Sequence, residues 1–150
     1  AAGTPDFFLE LAHYEWVELY LYMHRDEPPP NPIPKADLAT APLTLSPVVS
    51  PLAYEYPVHR IREDYQPGAP GDEPTFLLVF RNKEESIEFY ELQPFTFQLL
   101  EAIEENPGLI ASDWLNNMAE QAAVNDKATF IENGINMLQQ FNAQCVFMTK

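Results

Sequence analysis

The hydrophobic pattern of this chain is clearest over residues 74–141, where its period changes part-way. Residues 75–83 and 86–92 are rich in Phe, Leu, Val, Ile and Tyr and read as two strands, with a turn at 82–85. From Phe95 onward the apolar residues recur at helical spacing and predict three short helices. The first, over 95–105, carries Phe95, Leu99, Leu100 and Ile103 on one side and stops at Asn106-Pro107-Gly108. Ser112 can cap the second, with Trp114, Leu115 and Met118 turned inward. Asp126 can cap the third, whose stripe is Phe130, Ile131, Ile135, Leu138 and Phe141. Gly134 interrupts that helix at about 1 kcal/mol relative to Ala, so close packing of another backbone is expected there.

Upstream the pattern is less regular. Residues 5–24 predict a helix, with Thr4 as cap, Pro5 in the first position and Asp6 complementing the dipole. Its apolar residues cover most of the circumference, so it calls for burial on more than one side. Residues 28–34 hold five prolines and predict a stiff, extended linker. The segment on to Pro51 reads as irregular chain laid on a surface. Residues 56–62 read as a first short strand, 64–73 as a connecting loop, and 145–149 as a last short strand. The expected fold class is α+β: a small antiparallel sheet of about three strands with three C-terminal helices, in a winged-helix-like outline. The expected organisation is a helix over 1–24, a Pro-rich linker over 25–51, and an α+β domain over 52–150.

Charge changes the choice of function. The 150 residues hold 8 Lys+Arg against 23 Asp+Glu, a net charge of −15. Nucleic-acid binding releases counterions through Lys and Arg, so direct nucleic-acid binding and anionic membranes are both disfavoured. Over residues 95–143 seven acids face one base, Lys127, a balance of −6 that is wrong for a recognition helix. A single cysteine, Cys145, permits no intramolecular disulfide and sits in an apolar run as a buried thiol would. No window reaches the length of a membrane span, and the reading is a cytoplasmic protein. The chain opens without Met, directly before a helix, as a fragment or processed product would.

Candidate chemistry is sparse. Glu10 and His13 put a carboxylate and an imidazole on one helix face, but a bundle metal site needs that spacing twice. An ordinary helix histidine, bonded to a neighbour, is the competing reading. His24 reads as a solvated cation at the helix end. His59 has no acid or nucleophile beside it in sequence, and three scattered histidines make no zinc site. There is no phosphate-binding glycine loop and no nucleophile elbow. No metal, cofactor or catalytic residue is therefore expected, and the chain reads as non-enzymatic. Four of the eight cations, Arg60, Arg62, Arg81 and Lys83, fall on or beside the predicted sheet. They either neutralise nearby acids and blunt strand edges or form a docking patch for an acidic peptide.

The run "FLLVFRNKEESIEFYELQPFTFQLLEAIEENPG", followed by "DWLNNMAEQ" and "FIENGINMLQQFNAQCVF", resembles peptide-recognition domains of the PqqD type. Over nearly the whole chain, "FFLELAHYEWVEL", "SPLAYEYPVHRI", "PTFLLVFRN" and "ELQPFTFQLLEAIEENPG" resemble the C-terminal part of the HvfC-like family. That resemblance implies a C-terminal domain whose N-terminal helical neighbour, the source of the family's DNA-binding label, is missing here. It also implies an accessory role beside a multinuclear iron oxidase in methanobactin- and bufferin-type peptide maturation, with the iron ligands on the oxidase.

The expected function is thus an accessory module that binds a precursor peptide, an iron-dependent oxidase, or both. A peptide would add as a strand along residues 86–92. Phe89 and Tyr90, with Ile131 and Met137 of the third helix, are the expected contacts beside the four cations. Two alternatives stand: a regulatory C-terminal domain of a DNA-binding transcriptional regulator, and a homodimer formed through the helix at 5–24.

Overall fold

The structure, a computed structural model, describes residues 6–150. Thr4 and Pro5, the expected cap and first turn of the leading helix, lie outside the described residues. The chain is mixed α+β and forms two compact units, each drawn from two separate stretches. The first takes the described residues up to Arg25 together with Val49–Phe97; the second takes Asp26–Val48 and Gln98–Lys150.

In the first unit, helix α1 (Phe8–Met23) packs on an antiparallel sheet of β2 (Val49–Tyr54), β3 (Thr75–Arg81) and β4 (Ile87–Leu92). The strands lie in the order β2-β3-β4, with Leu52 opposite Leu77 and Val79 opposite Phe89. Side chains alternate across a strand. Leu52, Tyr54, Leu77 and Val79 accordingly share one face and build a core with Tyr14, Val17 and Leu21, which recur at helical spacing on α1. Leu21 is 2% exposed, a burial that contributes about 2 kcal/mol. On the other face, Phe76 stacks on Phe97 and Phe80 on Tyr90.

Three expectations change in this unit. The strand expected at 56–62 is a short 3₁₀ turn at Val58–Arg60, and the pairing lies earlier, at β2. Pro51 sits inside β2 without breaking the sheet, because an outer strand tolerates a missing N–H. Arg81, expected on a docking patch, instead serves the end of α1 from β3: its Nη1 donates to the carbonyls of Leu21 at 2.7 Å, Tyr22 at 3.2 Å and His24 at 2.8 Å. The last carbonyls of a helix have no partner within it, so a buried guanidinium satisfies them and opposes the dipole.

The second unit holds a second three-stranded sheet, in the order β5-β1-β6, where one sheet was expected. Its middle strand β1 (Pro42–Leu45) lies in the segment read as irregular. Its neighbours are the two-residue β5 (Leu109–Ile110) and β6 (Phe147–Thr149), which falls inside the strand expected at 145–149. The helices are α2 (Pro94–Glu105), which begins in the first unit, then α3 (Ala111–Gln121) and α4 (Lys127–Asn142). Asp126 caps α4 as expected, accepting from the Thr129 N–H at 3.1 Å and the Thr129 hydroxyl at 2.7 Å. Ser112 caps nothing; its N–H donates to the Ala39 carbonyl. Cys145 is buried, with a φ of 58°.

Gly134 is buried on α4, and what crowds it is a side chain rather than a backbone. A Cβ there would lie 2.5 Å from Leu115 Cδ2 and 2.7 Å from Cδ1. Leu115 is fully buried, so its side chain cannot swing out into solvent. Gly134→Ala should therefore cost about 1–2 kcal/mol despite the better helix propensity of Ala, read as a lower urea midpoint.

Candidate functional site

The hairpin of the first unit presents an open strand edge. Its turn is set by Asn82, whose Oδ1 accepts from the N–H groups of Glu84 and Ser86, both at 3.0 Å. Glu85 takes the positive φ, 64°, that closes the turn. Asn82 also donates its own N–H to the Ser86 carbonyl. Pairs in an antiparallel ladder alternate between bonded and non-bonded. Counting from that bond, Glu88, Tyr90 and Leu92 exchange their main-chain bonds with β3. The main-chain groups of Ile87, Phe89 and Glu91 then point away from the sheet. No other strand of the described residues pairs with β4 on that side.

Side chains beside this edge form a small cluster. Phe89 is 45% exposed and meets the His59 ring edge-on, at 5.3 Å between centroids. His59 Nε2 donates to Glu91, and Arg60 donates to the same carboxylate oxygen at 2.8 Å. The His59 hydrogen bond, aided by the Arg60 charge, holds the Glu91 carboxyl below the usual range. The His59 side chain is only 4% exposed, and its Nδ1 is buried without a hydrogen-bond partner among the described residues. A hollow of about 400 Å³ opens beside this group, lined by Pro57, Thr75 and Gln93 among others.

Of the residues expected at the site, Phe89 and Arg60 do meet at this edge. Tyr90 is half-buried and stacks on Phe80 from the opposite face. Lys83 is exposed in the turn, and Arg62 shares a second hollow with Arg60, Asp64 and Tyr65. Arg81 is 4% exposed and committed to α1, so the four cations do not make one patch. Ile131 and Met137 are half-buried on α4, in the second unit. His59 and Glu91 were not singled out as partners, although Glu91 follows Phe89 at the two-residue step of one strand face.

Glu10 and His13 also have their answer in this unit. The Glu10 carboxylate accepts the N–H groups of Glu55 at 3.0 Å and Tyr56 at 2.9 Å. His13 Nδ1 lies 2.7 Å from the Tyr54 hydroxyl. The pair ties α1 to the end of β2, and no group of three or more metal-ligating residues occurs among the described residues. Burial pushes the Tyr14 hydroxyl up to about 12 and raises that of Tyr54. The outer side of α1 is apolar: Leu9, Trp16, Leu19 and Met23 are all more than half exposed. No helix among the described residues is long and apolar enough to cross a membrane.

The carboxyls predict a two-sided response to acid. Glu91 and Asp126, the latter through its Thr129 bonds, sit below their ordinary values. Such groups contribute stability that is complete above the ordinary value and is lost as pH falls through the folded one. Glu18 and Glu104 run the other way, raised first by burial and then by neighbouring glutamates. They favour the folded state increasingly as pH falls. The urea midpoint should rise from pH 7 to about pH 5, as self-repulsion also weakens, and drop below about pH 4.

No curated protein matches this chain. The family model described as HvfC C-terminal domain matches residues 46–142, well over half of the chain. That stretch includes β2, the β3-β4 hairpin with its open edge, and all three C-terminal helices, so the chain belongs to the HvfC C-terminal domain family.

Proposed function

We propose that this chain is a non-enzymatic accessory module of ribosomal peptide maturation, which binds a precursor peptide, a partner iron-dependent oxidase, or both. Family membership supports the accessory role. The observation that carries the binding mode is the edge of β4, with outward main-chain groups at Ile87, Phe89 and Glu91 and an exposed aromatic ring among them. A peptide adding there gains main-chain hydrogen bonds, with Phe89 and the hollow by His59 supplying selectivity. The test is calorimetry of the whole chain with a candidate precursor peptide and with a candidate iron-dependent oxidase. Binding of at least one is expected; binding of neither rejects the proposal.

DNA reading by the helices has little to work with. Lys127 is the one cation of residues 95–143, and it already bonds Glu120 at 3.4 Å. A second reading, self-association through α1, is favoured by the exposed positions Leu9, Trp16, Leu19 and Met23. With Ala12 they follow alternating steps of three and four, the spacing of a helix-pairing seam. Sedimentation over a wide concentration range should show dimer on this reading, and Trp16→Glu should abolish it. A monomer at every concentration rejects it.

A further inference from the structure

The charge around β4 carries a conclusion about what the edge accepts. Four glutamates, Glu84, Glu85, Glu88 and Glu91, lie on the turn and the strand against one cation, Lys83. The arginines that could have offset them are engaged. Arg81 points into the unit and bonds the end of α1, while Arg60 bonds Glu91. The excess of acid therefore gathers at the turn end, where Glu84, Glu85 and Glu88, all exposed, outnumber Lys83. Phe89 follows directly, on the opposite face from Glu88. Beyond it, the Glu91 end is already balanced by Arg60 and bonded by His59.

Resting on the reading of β4 as a docking edge, we propose that its ligand is a basic, apolar peptide strand rather than an acidic one. An apolar side chain of the ligand lies beside Phe89. Its lysines or arginines lie beside Glu88 and onward towards the turn. The end that lies by Glu91 is uncharged. Opposite charges across neighbouring strands attract and like charges repel, so the arrangement selects both the ligand and its placement along the edge.

The test uses the whole chain and two short fluorescent peptides with the same apolar residues. One carries lysines towards one end, and the other carries glutamates at the same positions. Anisotropy titration should show the lysine peptide binding about tenfold tighter or better, with the advantage shrinking at high salt. Reversing Glu84, Glu85 and Glu88 to Lys alters exposed residues only and should invert the preference. Phe89→Pro removes an outward N–H and no bond to β3, so it should abolish binding of the lysine peptide. If Phe89→Pro leaves that binding intact, diffuse attraction to an acidic chain explains it and the proposal falls. If the glutamate peptide binds tighter, the charge assignment falls while edge docking stands. If neither peptide binds, both readings fall together.

Discussion

Replacing Arg81 with Ala is expected to destabilise the first unit by about 3 kcal/mol, the largest effect of a single polar substitution there. Three carbonyls at the end of α1, those of Leu21, Tyr22 and His24, would lose a charged donor at once. The environment makes the loss costly: Leu21 is 2% exposed and Arg81 itself 4% exposed, so water cannot easily replace the guanidinium. Arg81→Met keeps the apolar stem and should recover little, because packing is not what is lost. Arg81→Lys should recover part, since an ammonium can donate to the same carbonyls that Nη1 serves but sits on a side chain of different length and shape. Urea denaturation reads the energy. Amide exchange locates it, with the last turn of α1 losing protection first. A near-neutral Arg81→Ala would mean that the end of α1 is held by its apolar face alone.

The second large effect is expected at Asn142, which is 1% exposed at the end of α4. Its Oδ1 accepts the Ile33 N–H at 3.1 Å, and its Nδ2 donates to the Ile33 carbonyl at 2.7 Å. One side-chain amide thus satisfies both main-chain groups of Ile33, as a neighbouring strand would. Ile33 stands between Pro32 and Pro34 and has an N–H to offer where they have none. Asn142→Ala should cost about 2–3 kcal/mol and open residues 28–34 to protease. Asn142→Asp should cost at least as much at pH 7, because a carboxylate cannot donate to the carbonyl. It should recover partly in mild acid, where the protonated form can.

What could be read from the sequence was local. The β3-β4 hairpin and the three C-terminal helices announce themselves through the period of their apolar residues, and Asp126 caps α4 with partners three residues away. The missed strands depend on distant partners. Pro42 and Pro51 read as interruptions until β5 and β3 are alongside them, when β1 and β2 prove able to hold a proline at a strand start and on an outer strand. Arg81 was legible in part. It follows Leu77 and Val79 at two-residue steps, and a cation on the buried face of a strand needs a buried acceptor. The acceptor, a helix end sixty residues earlier in the chain, was beyond local pattern. Glu10 and His13 misdirect for the same reason, since their partners are on β2 rather than on a second helix.

The strand order β5-β1-β6 has a consequence for the order of events during synthesis. The middle strand of that sheet leaves the ribosome early, and its partners Phe147 to Thr149 leave late. Pairings so far apart along a chain carry a large loop-closure cost and slow folding. The first unit, whose α1, hairpin and β2 are all made by Phe97, can be complete while Leu43 and its neighbours still wait with bare main-chain edges. During that interval β1 is an unpaired apolar strand, open to neighbouring chains. A nascent chain stalled before Phe147 should consequently aggregate more readily than the finished chain, and the four residues of β1 are where a solubilising substitution would act.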